Sequence, residues 1–306
     1  MEVKYKDKDI YPNISVNACT LEKYAEKRAN YLNLVLNDAE QHCDQWGFQR
    51  GETIEVKDGK CKSGKMYIWN VGPSSGHYHI EAYSMPPDSY STQNKSWEQV
   101  HLLQLGREVA QNHNLTFKNY GVEDHVYDYC FQNNITDLDF LYTRCQIEGA
   151  SFLIYNGNLI IYDERKLESQ TPEVSLNLTT GHDFEYTDTT FDCFKKIELF
   201  NNTVKGAFNM SADSGQTKIL RVPFPMSSQE EAERFAKNYC RYLNREKAKY
   251  KFHLEYLERD ISAGSVAHIE TDGEQSWNGN VFVEFCRFDM MYDETDVVAR
   301  KVVTDY

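Results

Sequence analysis

Nothing in the 306-residue sequence approaches the apolar run that a bilayer-spanning helix needs, and mean hydropathy is −0.66. Cations are scarce as well: 33 Lys and Arg stand against 47 Asp and Glu, a net charge of −14. That deficit excludes a dedicated duplex DNA or RNA binder, whose affinity comes from neutralising phosphates. The first eight residues, Met1 to Lys8, contain no apolar core, so no secretory signal is expected. Eight cysteines occur, at 19, 43, 61, 130, 145, 193, 240 and 286, without one CxxC spacing for zinc or redox chemistry. With no export signal they read as reduced thiols, mostly buried as small apolar side chains. What is present is length for two or three domains, an acidic surface and many aromatics, 21 of them Tyr.

The pattern along the chain runs β, then α+β, then β. Leu32, Leu34 and Leu36 alternate along 31–36, and 51–56, 66–71 and 78–83 make further short strands, a spacing typical of sandwiches or barrels. The Met85-Pro86-Pro87-Asp88 segment reads as a boundary. A helix is expected from Ser96, with Gln99 completing a capping box and Leu102, Leu105, Gly106 and Val109 on one face. A second helix is expected from Thr136 to Gly149, then a hairpin over 151–163 turning at Asn156-Gly157. Gln170 to Asp188 reads as a polar crossing, and 191–200, 207–211 and 218–223 as strands. Ser228-x-x-Glu231 caps the clearest helix, whose stripe is Ala232, Phe235, Ala236, Tyr239 and Leu243. Strands at 252–256, 266–269, 281–285 and 297–299 close the chain.

Motifs with catalytic associations fail on context. Gly72-Pro73-Ser74-Ser75-Gly76 fits G-x-S-x-G, but a strand-like His77-Tyr78-His79-Ile80 follows where a nucleophile elbow needs a helix. Gly59 to Met66 resembles a P-loop with Met66 in the Mg²⁺-ligand position and a strand after it, so it reads as a basic loop. His77 and His79 share a strand face without a third ligand nearby, which favours a solvent-facing pair. His42-Cys43-Asp44 are neighbours in sequence, and such neighbours point in different directions. The abundant carboxylates show no spacing that singles out an acid and a base. No catalytic, cofactor or metal residue is assigned, no cofactor is expected, and the chain is read as not an enzyme.

Several segments in order carry a resemblance. Ala29 to Asp38, then Trp46 and the Arg50-Gly51-Glu52-Thr53-Ile54-Glu55-Val56 strand, match one run of patterns. The capped helix from Ser96 to Leu115 and the Thr136-Asp137-Leu138-Asp139-Phe140-Leu141 to Glu148-Gly149-Ala150 helix match another. Glu231-Ala232 to Leu243 and Ala263-Gly264-Ser265-Val266 complete the set. In these, the chain resembles the baseplate hub of contractile phage tails, the late control gene D family. That family shares its fold with the N-terminal part of the type VI secretion spike VgrG. Ala263 stands where the family has Pro, and Asn30 where it has Asp.

The resemblance implies a mainly β fold: two tube-type antiparallel β-barrel domains, 1–88 and 186–306, flank an α+β domain, 89–185. It implies a homotrimer whose six barrels form a pseudo-sixfold ring, joining a threefold central spike to the sixfold tail tube. Implied partners are that spike, the tube or its initiator, other baseplate (wedge) proteins and the tape measure protein. The implied location is the virion tail baseplate, assembled in the bacterial host cytoplasm. No specific nucleic-acid binding is implied, even where DNA passes through the lumen. The alternatives are a cell-wall hydrolase delivered by a tail and the hub of a long non-contractile tail tip. A chain ending at Tyr306 is expected to leave no room for a fused lytic domain.

Overall fold

The computed structural model describes residues 1–87, 89–179, 183–189, 192–210 and 215–303. Asp88, Phe191 and Ser211, which end segments expected from the sequence, lie outside them. The chain begins with β1 (Glu2–Tyr5), β2 (Lys8–Asp9), β3 (Val16–Tyr24), β4 (Tyr31–Asn37), β5 (Thr53–Asp58), β6 (Cys61–Lys62), β7 (Met66–Ser74) and β8 (His77–Tyr83). It then leaves for β9 (Thr92–His101), α1 (Leu102–Asn112), β10 (Thr116–Tyr120), β11 (Val126–Thr136), α2 (Asp137–Ile147), β12 (Ala150–Tyr155), β13 (Asn158–Asp163) and α3 (Glu164–Glu168). It returns for β14 (Val174–Leu178) and β15 (Phe184–Asp188), and leaves again for β16 (Phe194–Phe200), β17 (Lys205–Asn209), β18 (Gln216–Arg221) and α4 (Gln229–Asn244). The last four strands are β19 (Ala248–Leu254), β20 (Val266–Thr271), β21 (Gly279–Asp289) and β22 (Glu294–Lys301).

The strands outside the two excursions form one fourteen-stranded sheet. Its order is β15-β19-β22-β21-β3-β4-β8-β7-β5-β1-β2, with β20 and β14 branching from β21 and β6 from β5. The early half and the late half meet where β21 pairs with β3. A bulge makes that junction possible. Along one edge, Gly279 to Phe282 pair with β20, and Phe285 to Asp289 pair with β3. Between them the register against β22 slips by one residue, from Val283 to Phe285. The slip moves the inward phase from Val281 and Val283 to Cys286 and Phe288, all fully buried. One apolar core, with Leu32, Leu34, Leu36, Ile80, Val283 and Val297 among its members, spans both halves.

The two excursions share a second core. The α1 face (Leu102, Leu105, Val109), the α2 side chains Phe140 and Leu141, and Phe152 and Ile161 of the β12–β13 hairpin pack with Ile197 and with Ala232, Phe235 and Ala236 of α4. The α4 stripe, expected in the second barrel, therefore belongs to the core of the insert. A 3.6-residue period says that a face is buried but not which core it faces. Backbone contact is close at two glycines. A Cβ at Gly206 would stand 2.3 Å from the Ala232 carbonyl carbon, and one at Gly106 would stand 2.6 Å from Ile161 and Phe117.

The helix expected from Ser96 starts later. Thr92 to His101 form a strand paired with β11, for example Trp97 opposite Cys130, and α1 begins at Leu102 with no side-chain cap from His101. Its first N–H groups are capped from a distance instead: Leu103 donates to Asp124 Oδ1 at 2.9 Å and Leu102 to the His125 carbonyl at 3.0 Å. Ribbon pairing thus overrides the local S-x-x-Q signal. Likewise the polar segment 170–188 holds two strands, β14 parallel to β20 and β15 antiparallel to β19. Thr136 does cap α2, accepting from Asp139 N–H at 3.1 Å, and Asn156 and Gly157 take the positive φ values of the hairpin turn.

Candidate functional site

The motifs with catalytic associations are dispersed. Ser74 pairs with His77 across a tight β7–β8 turn whose central residues, Ser75 and Gly76, have φ of 51° and 80°. No helix follows Ser74. Gly59 sits in the β5–β6 turn, where Lys60 pairs with Asp260. His77 and His79 have ring centres 6.5 Å apart, and no group of three or more potential ligand side chains occurs among the described residues. His42 pairs loosely with Glu40 at 3.5 Å and not with Cys43. Burial, with Asp38 beside it, pushes the Cys43 thiol up to about 11. Burial likewise raises Cys19 to about 12 and Cys61 and Cys240 to about 11, so these thiols stay protonated and unreactive at neutral pH.

The strongest concentration of chemistry is a buried charge cluster where the insert meets the long sheet. Arg241 and Arg245 come from the end of α4, Arg300 from β22, Glu164 and Glu168 from α3, Glu284 from the β21 bulge and Glu26 from the β3–β4 loop. The three guanidiniums are 1–2 % exposed. Arg241 contacts Glu164 at 2.5 Å and Glu168 at 2.7 Å, while Arg300 contacts Glu168 at 2.6 Å and Glu284 at 3.2 Å. Arg245 bridges Glu164 and Glu26. Burial alone would raise the Glu164 carboxyl, but Arg245, Arg300 and Arg241 outweigh it and hold it below the usual range. At Glu284 burial wins over Arg300, Lys249 and Arg245, and the carboxyl is pushed up. This is a fastening. It ties five chain segments together.

A second feature lies on the outside of the early half. Phe285 sits beside Tyr24 (ring centres 5.0 Å), and further strands carry Tyr31 beside Tyr83 (5.0 Å), Trp69 beside Tyr83 (5.2 Å) and Tyr90 beside Trp69 (5.3 Å). These rings belong to neither apolar core. Arg28 lies over Tyr24 and Arg50 over Trp69. Tyr24 donates to Glu22 at 2.6 Å and Tyr31 to Glu81 at 3.2 Å, so the polar tips are satisfied while the rings stay half-exposed. A Tyr, Trp and Arg surface of this kind has the composition of protein interfaces. The alternation of 66–71 and 78–83 points to these strands, but the ladder needs the register between five strands, which one sequence does not contain.

Comparison with known proteins bears on the fold. No protein-family model matches the sequence, and no curated protein matches it. Among solved structures, the chain is similar to a tail protein from Neisseria meningitidis MC58, with TM-score 0.73 and 12 % identity over 98 % of this chain and 95 % of that one. It is also similar to the 43 kDa tail protein of prophage MuSo2 from Shewanella oneidensis, with TM-score 0.69 and 11 % identity over 97 % and 96 %. A third is the Escherichia coli c3393 protein, described as a type VI secretion component structurally similar to the T4 phage tail proteins gp27 and gp5. That match has TM-score 0.67 and 12 % identity, covering all of this chain and 78 % of that one. The mainly β fold, with its α+β insert, is thus one found in phage-tail and type VI secretion proteins.

Proposed function

We propose that the chain is a structural hub of a contractile tail or tail-like particle, adapting a threefold central spike to a sixfold tube. The observation that carries this is end-to-end similarity of fold: 98 % of this chain aligns with 95 % of a tail protein. A fold shared over so complete a length supports a shared place in an assembly more than a shared reaction. The architecture gives the reading its physical sense. A trimer matches a sixfold surface only if each subunit offers two equivalent patches. In this reading the early and late halves of the long sheet, joined at β3 and β21, are those patches. The insert faces outward toward other baseplate proteins, and the half-exposed rings on the long sheet serve contacts rather than catalysis. Spike, tube or tube initiator, and tape measure protein are the proposed neighbours. Light scattering on the purified chain at high concentration tests the assembly step. A species of three times the 35.7 kDa chain mass is expected, and a strict monomer at every concentration counts against it.

A further inference from the structure

We propose that the insert carries a binding cleft for a neutral saccharide, between the β9–β11 ribbon and helices α1 and α2. The cleft measures about 440 Å³, within the about 300–1,000 Å³ range of small-molecule sites. One wall is aromatic: Trp97 stacks on Phe140 with centres 5.1 Å apart and planes 13° apart, and its Nε1–H donates to Glu108 at 2.8 Å. The floor is Asp137, 5 % exposed, which accepts from Asn112 at 2.8 Å and from Gln132 at 3.0 Å. His113, 7 % exposed, lines the same cleft. Both of its ring nitrogens are buried without a hydrogen-bond partner, the nearer standing 3.3 Å from Asp137 in poor alignment.

The charges decide the ligand class. Lys95 is paired with Glu108, and Asp137 is an ionised carboxylate hydrogen-bonded by two neutral amides, so the cleft has no unpaired cation to offer a phosphate. A metal ion is equally ill-served, since no three ligand side chains gather among the described residues. What remains is a flat hydrocarbon face beside amides with unused acceptors. The side-chain oxygens of Asn112 and Gln132 accept no hydrogen bond among the described residues. A pyranose ring suits both: its C–H face packs on an aromatic wall, and its hydroxyls donate to amide and carboxylate oxygens. Lys95, 5.1 Å from the Trp97 ring centre and half-exposed, is the side chain that such a ring displaces.

The cleft does not rest on the hub reading, and each can fail alone. The test is a glycan array carrying neutral and anionic oligosaccharides, followed by calorimetric titration of the best binder. Saturable one-to-one binding of a neutral oligosaccharide is expected. Asn112→Ala and Trp97→Ala should each weaken it about tenfold or more, and Tyr292→Ala, on an exposed turn of the long sheet, should leave it unchanged. Circular dichroism and melting confirm that each variant folds, and Asn112→Ala decides the matter if loss of the Trp97–Phe140 stack unfolds the insert. No glycan bound by the native chain, a preference for anionic glycans, or full affinity in a folded Asn112→Ala would each overturn the site.

Discussion

The interior of the long sheet and its junction with the insert are held by opposite chemistries. The sheet interior is predominantly apolar, with Leu32, Leu34, Leu36, Ile80 and Val283 all at 0 % exposure. The junction buries Arg241, Arg245 and Arg300 at 1–2 % exposure against Glu164 and Glu168. Apolar packing tolerates substitutions of similar volume and is indifferent to direction. Buried ion pairs add little net stability, because desolvation offsets their attraction, yet an unpaired member is severely penalised. The difference teaches that cohesion comes from the sheet, and the role we propose for the junction is to specify one orientation for the insert.

The sharpest way to break the comparison is Glu164→Ala. It strips Arg241 and Arg245 of a shared partner and should cost about 3–5 kcal/mol in urea unfolding. Replacing Arg241, Arg245, Glu164 and Glu26 together by Met, Leu, Leu and Gln should recover most of that loss, because the charges that remain, Arg300 with Glu168 and Glu284, still pair with one another. Recovery would show that the cluster serves orientation; failure would show that it serves stability. Leu34→Ala in the sheet interior should cost about 2–5 kcal/mol and should not be rescued by any charge change. Gly206→Ala comes next, at about 1–3 kcal/mol, because its Cβ has nowhere to go against the α4 backbone.

A pH titration gives a smaller effect located in the insert. Burial would raise the Asp137 carboxyl, but contact with His113 and hydrogen bonds from Asn112 and Gln132 outweigh it and hold it at about 2, below its ordinary 3.8. A depressed folded-state pKa means stability present above about pH 4 and lost as pH falls toward 2, about 2 kcal/mol in all. Asp137→Asn should flatten that part of the acid limb in stability measured against pH, and an unchanged limb would locate the acid sensitivity elsewhere. Smallest of all, Tyr292→Ala on an exposed turn should change chain stability by less than about 0.5 kcal/mol.

Local signals in the sequence were reliable where a single segment contains its own explanation. Alternating Leu32, Leu34 and Leu36, the Thr136 cap, the Asn156-Gly157 turn and Ser228 at the start of α4 are such cases. Signals failed where the cause lies far along the chain. The Ser96 capping box gave way to pairing with β11, and α1 takes its cap from Asp124. Nothing local to α4 tells that its stripe joins the insert rather than the late half of the sheet. The charge cluster was equally invisible, since its members lie at 26, 164, 168, 241, 245, 284 and 300. Buried Arg residues are legible only when their partners are known. The same limit applies to the saccharide cleft, whose Trp97, Asn112 and Asp137 come from three elements.

The central claim is a position in an assembly, so the decisive measurement is to look for the chain there. Tail particles purified from the producing cells should contain it by mass spectrometry. Low-resolution imaging with this chain tagged should place three copies at the tip, between tube and spike. Particles complete at the tip but lacking the chain would contradict the account.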